Sequence, residues 1–241
     1  KRYQQQKAAL PKEERRQVRE KLAIHNRHVL AAALTAAIGI LFFFKYFNFV
    51  GANLNLLFGG LHLPLHIPLL HLLMPLGISF YTLSAVSYLV DVSRGTCEAQ
   101  RNFGKLLLFL MFFPVITEGP ISRYGQLGTQ LAEGHRFDYQ KFCFGIQLII
   151  WGFFKSVVMA NRLAALVGNI FSNHASYSGS VVILTVMLYT LQIYMDFSGG
   201  IDIARGSAEL FGITLAPNFE RPFFANSVND FWRRWHISLG A

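Results

Sequence analysis

The chain has 241 residues, of which 53% are hydrophobic and 15% charged, with 23 phenylalanines and a formal net charge of +9. The apolar residues are clumped into long runs rather than spaced along one face, which excludes an ordinary soluble domain and points to a membrane protein. Lysines and arginines sit at the ends of those runs, as topology signals and headgroup contacts do; with no zinc-finger, homeodomain or RNA-recognition pattern either, the charge does not indicate nucleic acid.

Residues 1–28 carry nine Lys/Arg against three Glu. There is no initiator Met and no short apolar core with a cleavage site, which predicts an internal piece of a longer protein. Pro11-Lys-Glu-Glu14 predicts a helix start, with Pro at the first position and acids in the first turn. Val29–Phe44, extended by Tyr46, Phe47 and Phe49, reaches the ~20 residues of a spanning helix. Between Gly51 and Ser93 there is no Lys or Arg, so residues 1–28 are placed in the cytoplasm and 51–73 outside. Pro64, Pro68 and Pro75 predict interfacial helical pieces after Gly59-Gly60.

Pro75–Val92 is the expected returning span, with Arg94, Arg101 and Lys105 on the cytoplasmic side. Leu106–Ile116 is too short to cross and ends in Pro114, so 106–123 is expected to be re-entrant, with Thr117–Arg123 walling a cavity. Phe142–Met159 is the next span and Asn161–Phe171 an amphipathic piece on the outer surface. Residues 181–196 form the fourth span. Helices on the cytoplasmic side follow at 202–211 and 228–239, the second capped by Ser227 with Asp230 as a capping-box variant.

Several groups carry possible chemistry. On a continuous terminal helix Trp232 and His236 share one face, Phe231, Trp235 and Leu239 form an apolar face beside it, and Asp230 pairs with Arg234. An imidazole there can act as a general base, or the segment is a juxtamembrane helix with an aromatic belt. Asp196 and Asp202 bracket Phe197-Ser198-Gly199-Gly200. They suit a cation or proton site, as in a transporter, or helix capping and a pair with Arg205, the favoured reading. Glu118 and Arg123 are placed to pair across Gly119-Pro120. Lys155 is expected to snorkel. His62, His66 and His71 lie close together, but Pro64 and Pro68 interrupt the helix a metal site would need, so no metal is expected. Cys97 and Cys143 read as unrelated thiols.

The run Phe231-Trp-Arg-Arg-Trp-His-Ile-Ser-Leu239 resembles the signature of the membrane-bound O-acyltransferase (MBOAT) family, in particular its bacterial polysaccharide O-acetylase branch, which is alginate O-acetylase-like and related to the teichoic acid D-alanyl transfer protein. Tyr194-Met-Asp-Phe-Ser-Gly-Gly-Ile-Asp202, Asn218-Phe-Glu-Arg-Pro222, Gly119-Pro-Ile-Ser-Arg123 and Gly77-Ile-Ser-Phe-Tyr-Thr82 fit the same family in order and spacing. Gly200 departs from it, standing where the family often has Tyr; so does Gly240-Ala241, in place of an expected Ser/Thr-x-Trp continuation.

The resemblance implies an all-α integral membrane protein, a multi-helix bundle with re-entrant and interfacial helices, of which 29–241 is part. It implies transfer of an acyl group, usually acetyl, from a cytoplasmic thioester such as acetyl-coenzyme A to hydroxyls of an extracytoplasmic polysaccharide or a partner protein, with no cofactor held. D-alanyl transfer, a transporter or a non-catalytic scaffold are the alternatives. The implied partners are the bilayer and an extracytoplasmic acyltransferase or polysaccharide-assembly protein. The implied location is the bacterial inner membrane, with the C-terminal motif cytoplasmic. His236 matches the family's earlier, supporting histidine, and the principal base is expected in a helix after Ala241. Donor or substrate contacts are expected from Arg233, Arg234, Trp232, Asp196, Ser198, Asp202, Glu118 and Arg123.

Overall fold

The computed structural model describes residues 12–240, with side chains from residue 24 onward. The Pro11 helix start lies outside the described residues. Among those described, every regular element is helical, and one isolated antiparallel bridge joins Phe219 to Trp235. The chain divides into two compact units, residues 1–99 and 100–241.

The first unit holds α1 (Lys12–Gly60) and α2 (Ile78–Arg94). The apolar part of α1, Ile24–Gly60, is 37 residues long, enough to cross a membrane. It does not stop near residue 49 as the sequence suggests, nor do helical pieces follow it. Residues 63–73 form no helix, because Pro64 and Pro68 within them deny the stretch helical hydrogen bonds. Two asparagines of α1, seven residues apart, supply the missing partners. Asn48 donates to the Leu70 carbonyl (2.6 Å) and accepts from its amide (2.9 Å); Asn55 does the same with Ile67 (2.8 and 2.7 Å). A side-chain amide can mimic a strand neighbour in this way, which is how non-helical backbone is tolerated in an apolar setting. α2 has 17 residues, roughly 26 Å at 1.5 Å per residue, somewhat less than a hydrocarbon core. Gly95, in the left-handed region at φ 74°, ends it.

The second unit contains α3 (Phe103–Leu110), α4 (Thr129–Ala132), α5 (Tyr139–Phe153), α6 (Asn161–Ser172), α7 (Gly179–Glu209), α8 (Val228–Arg234) and α9 (Ile237–Gly240). Asn102 caps α3 through the Lys105 amide, and Asp138 caps α5 through the amides of Gln140 and Lys141. A π-helical stretch, Phe154–Ala160, joins α5 to α6, so the expected span and amphipathic piece form one 34-residue apolar rod, Tyr139–Ser172. α7 is likewise continuous over 31 residues. The expected break before 202–211 is absent: the helix runs past Asp202 to Glu209 and is closed off by a turn at Gly212. There the Ile213 amide reaches the Ala208 carbonyl (3.1 Å) and the Gly212 amide that of Glu209 (2.9 Å).

Two glycines on each helix set the contact between α5 and α7. A Cβ on Gly152 would lie 2.6 Å from the Gly199 carbonyl oxygen, and one on Gly206 2.5 Å from that of Gly145. The pairing 145 with 206 and 152 with 199 makes the helices antiparallel, their backbones in contact at both levels. Lipid tails are as apolar as leucine, so apolar burial gives little drive to bring helices together there; close van der Waals contact between small residues supplies it. The opposite faces stay apolar and exposed, as at Ile150, Trp151, Ile183 and Met187, which suits contact with lipid.

Candidate functional site

The π-helical stretch rotates Lys155 into the α5–α7 contact. Its ammonium is buried, 2.7 Å from an Asp202 carboxylate oxygen and 3.0 Å from the Ser198 hydroxyl. The other Asp202 oxygen is 3.6 Å from Arg205. Lys155 therefore does not snorkel, and Asp202 pairs primarily with Lys155 and secondarily with Arg205. Six residues earlier on α7, Asp196 accepts a hydrogen bond from Ser156 (2.9 Å).

Glu118 approaches the same stretch. Although the residue is exposed overall, its carboxylate lies where a Cβ on Gly200 would stand. Burial of that carboxylate, and secondarily the charge of Asp196, push the Glu118 carboxyl upward. The Gly200 departure thus has a consequence: the space a larger residue would take receives an acid. Arg123 is exposed, and among the described residues no ion pair joins it to Glu118.

The C-terminal motif is not one helix. Ser227 caps α8 by accepting from the Asp230 amide (3.1 Å), but Asp230 returns to the Asn226 amide (3.2 Å) rather than to the cap residue itself. The Asp230–Arg234 pair forms at 3.0 Å, and Arg234 holds the Asp230 carboxyl below its usual range. α8 stops at Arg234. Trp235 is extended and His236 left-handed at φ 50°, so Trp232 and His236 do not share a helical face. Two backbone bonds replace the helical ones: Glu220 amide to Arg234 carbonyl (2.9 Å) and Ile237 amide to Asn218 carbonyl (3.0 Å). Trp235 stacks on Phe231 (5.5 Å, 18°) and meets Phe219 edge-on (5.1 Å). Trp, His and Ile are middling helix formers, and this aromatic packing overrides what propensity they have. Trp232 and Arg233 point outward as exposed residues.

These changes bring His236 against α7. Its ring meets Phe197 edge-on at 4.9 Å. Desolvation lowers its pKa, while a backbone contact of its own opposes this more weakly, so burial favours the neutral imidazole. The Ser238 hydroxyl accepts from the Ile121 amide at 3.1 Å, which ties the Gly119-Pro120 loop to the same place. Of the expected residues, Asp196, Ser198 and Asp202 lie along one stretch of α7 that Glu118 approaches at Gly200 and His236 touches through Phe197, while Arg123, Trp232 and Arg233 are turned outward. Asn218 belongs to a run noted in the sequence but drew no role there, because an isolated Asn after Pro217 has no chemical signature. His62, His66 and His71 are exposed, and no metal-holding group of three such ligands occurs among the described residues. Cys97 and Cys143 are free thiols.

These features define an all-α membrane protein in which a glycine-lined helix pair buries a charged cluster and an irregular aromatic loop packs against one of the two helices. The family model described as "MBOAT, membrane-bound O-acyltransferase family" matches residues 99–240, and the chain belongs to that family. It is similar to the probable alginate O-acetylase AlgI of Pseudomonas aeruginosa, 38% identical over 201 residues, 83% of this chain and 38% of that protein. It is also similar to the peptidoglycan O-acetyltransferase of Helicobacter pylori, 32% identical across 89% of this chain and 45% of that protein. The teichoic acid D-alanyltransferase of Bacillus subtilis is 29% identical across 88% of this chain and 51% of its own length. The chain thus spans roughly two fifths to a half of these relatives.

Proposed function

We propose that this chain is part of a membrane O-acyltransferase that moves an acyl group, acetyl in the first instance, from a cytoplasmic thioester such as acetyl-coenzyme A to hydroxyls of an extracytoplasmic polysaccharide or of a partner protein. The observation that carries this reading is the convergence of the Gly119–Ile121 loop, the Asp196–Asp202 stretch of α7 and the His236–Ser238 loop in one place. The names of the relatives supply the reaction class.

In the reaction the acceptor oxygen bonds to the thioester carbonyl carbon and the C–S bond breaks. The acceptor proton passes to a base, and the thiolate leaves to be protonated. The resemblance expects that base in a helix after Ala241 and gives His236 a supporting part. Arg233, which faces outward, is the better of the two arginines to meet donor phosphates, since Arg234 is engaged by Asp230. The apolar surroundings would limit hydrolysis of the donor. Inner-membrane placement with the motif facing the cytoplasm, and an extracytoplasmic assembly partner, belong to the same proposal. D-alanyl transfer is the second reading, favoured by the Bacillus subtilis relative.

The test is full-length protein in liposomes with radiolabelled acetyl-coenzyme A and acceptor glycan. Thioester consumption weakened by His236→Ala supports the reading. Consumption of a D-alanyl thioester and not of acetyl-coenzyme A replaces it with the second. No thioester consumption with any donor sinks both.

A further inference from the structure

Asn218 is the most deeply buried polar residue of the aromatic loop, 1% exposed. Its position is fixed at both ends of the amide. The Oδ1 atom accepts from the Ser238 amide at 2.8 Å, and its own backbone carbonyl accepts from the Ile237 amide at 3.0 Å. With Oδ1 committed to an N–H donor, the amide cannot be reversed, so Nδ2 is the atom that faces the ring of His236. It stands 3.2 Å from Nδ1. An amide nitrogen only donates, so Nδ1 must accept.

We infer that Asn218 is a positioning residue that locks His236 in the tautomer with its proton on Nε2, so that the ring keeps an N–H donor there and has no free lone pair. No Nε2 partner exists among the described residues. The Phe197 edge at 4.9 Å holds the ring plane. The left-handed backbone at His236 is sparsely populated by non-glycine residues and persists only where the surroundings over-determine it. Here those surroundings are the Asn218 bonds on either side.

The consequence for chemistry rests on the acyl-transfer reading. A ring without a free lone pair does not accept the acceptor's proton. It donates from Nε2 to the thioester carbonyl oxygen, where negative charge builds as the acceptor oxygen adds and before the C–S bond breaks. His236 is then a stabiliser of that charge, and proton removal falls to another group.

Two measurements test this on the full-length protein in lipid nanodiscs. The first is nitrogen-15 NMR of histidine-labelled protein, with the His236 signals assigned by their loss in His236→Gln. Wild type is expected to show a protonated Nε2 and an unprotonated Nδ1 at neutral pH. Asn218→Asp is expected to reverse this, because one carboxylate oxygen keeps the Ser238 amide and the other accepts from Nδ1–H. An Nδ1–H or doubly protonated ring in the wild type overturns the inference without any variant. A folded Asn218→Asp protein with the wild-type tautomer overturns the role of Asn218. The second measurement is acyl turnover. Removing one such donor costs roughly 10²–10³-fold in kcat, so His236→Ala should fall by that much. His236→Gln, whose amide can donate but is no base, should recover about tenfold. Equal loss in both variants overturns the donor role. An Nε2–H ring in a protein with no turnover at all would sink the acyltransferase reading while leaving the lock in place.

Discussion

Asp202→Asn is expected to be the most destabilising isosteric change on α7. The Lys155 ammonium is 2.7 Å from Asp202, with side chains 9% and 15% exposed. At an effective dielectric constant of about 20, that separation corresponds to roughly 6 kcal/mol of gross attraction, most of it offset by the cost of desolvating both ions. The substitution removes the attraction and keeps the cost. Lys155 is left buried with only the Ser198 hydroxyl at 3.0 Å, and breaking such a pair from one side costs about 3–5 kcal/mol. The reverse change should be milder. In Lys155→Met, Asp202 still has Arg205 at 3.6 Å, whose side chain is 21% exposed, so the surviving carboxylate is neither unpaired nor dry. Replacing both, as Lys155→Met with Asp202→Leu, should lie near wild type or above it. The assay is equilibrium unfolding of the four proteins in one detergent, each variant compared with wild type. If Asp202→Asn stays within about 0.5 kcal/mol of wild type, or if Lys155→Met costs as much, the buried pair does not hold the α5–α7 contact in the way described.

Three further outcomes are expected. Gly152→Val should prevent assembly of α5 on α7, because even the Cβ would sit 2.6 Å from a backbone oxygen, whereas Gly168→Ala, which meets open space, should be neutral or raise stability by up to about 1 kcal/mol; detergent melting curves distinguish them. Asn55→Ala should leave the Ile67 amide and carbonyl without their partners, at about 1–3 kcal/mol, and speed amide exchange at Ile67 more than at Leu70, where Asn48 remains. Arg234 depresses the Asp230 carboxyl, so the pair's contribution should be present above the ordinary aspartate range and fade as pH falls through the depressed value; the difference in stability between wild type and Asp230→Asn, measured from pH 6 to pH 2 and again at high salt, should shrink in both directions of change.

The sequence alone determined the class of the molecule and the order of its main elements. Apolar runs, charge placement and the arginine-tryptophan-histidine run are local properties, and they survive whatever the chain packs against. They identified a helical membrane protein and the stretch of α7 that carries Asp196, Ser198 and Asp202. Tertiary structure decided what depends on partners distant in the chain. Lys155 is a snorkelling residue by composition and a buried counter-ion by geometry, because a π-helical rotation and two glycine contacts bring Asp202 within reach. Residues 67 and 70 lack hydrogen-bonding partners of their own until Asn55 and Asn48 supply them from 12 and 22 residues away on another element. The final motif reads as a helix by spacing, and its backbone leaves the helix at Trp235 because Phe219 and Asn218, encoded earlier, offer it a better set of contacts. The proton on His236 follows from that departure: which ring nitrogen holds it is set by an amide eighteen residues upstream, which no pattern along the chain can express.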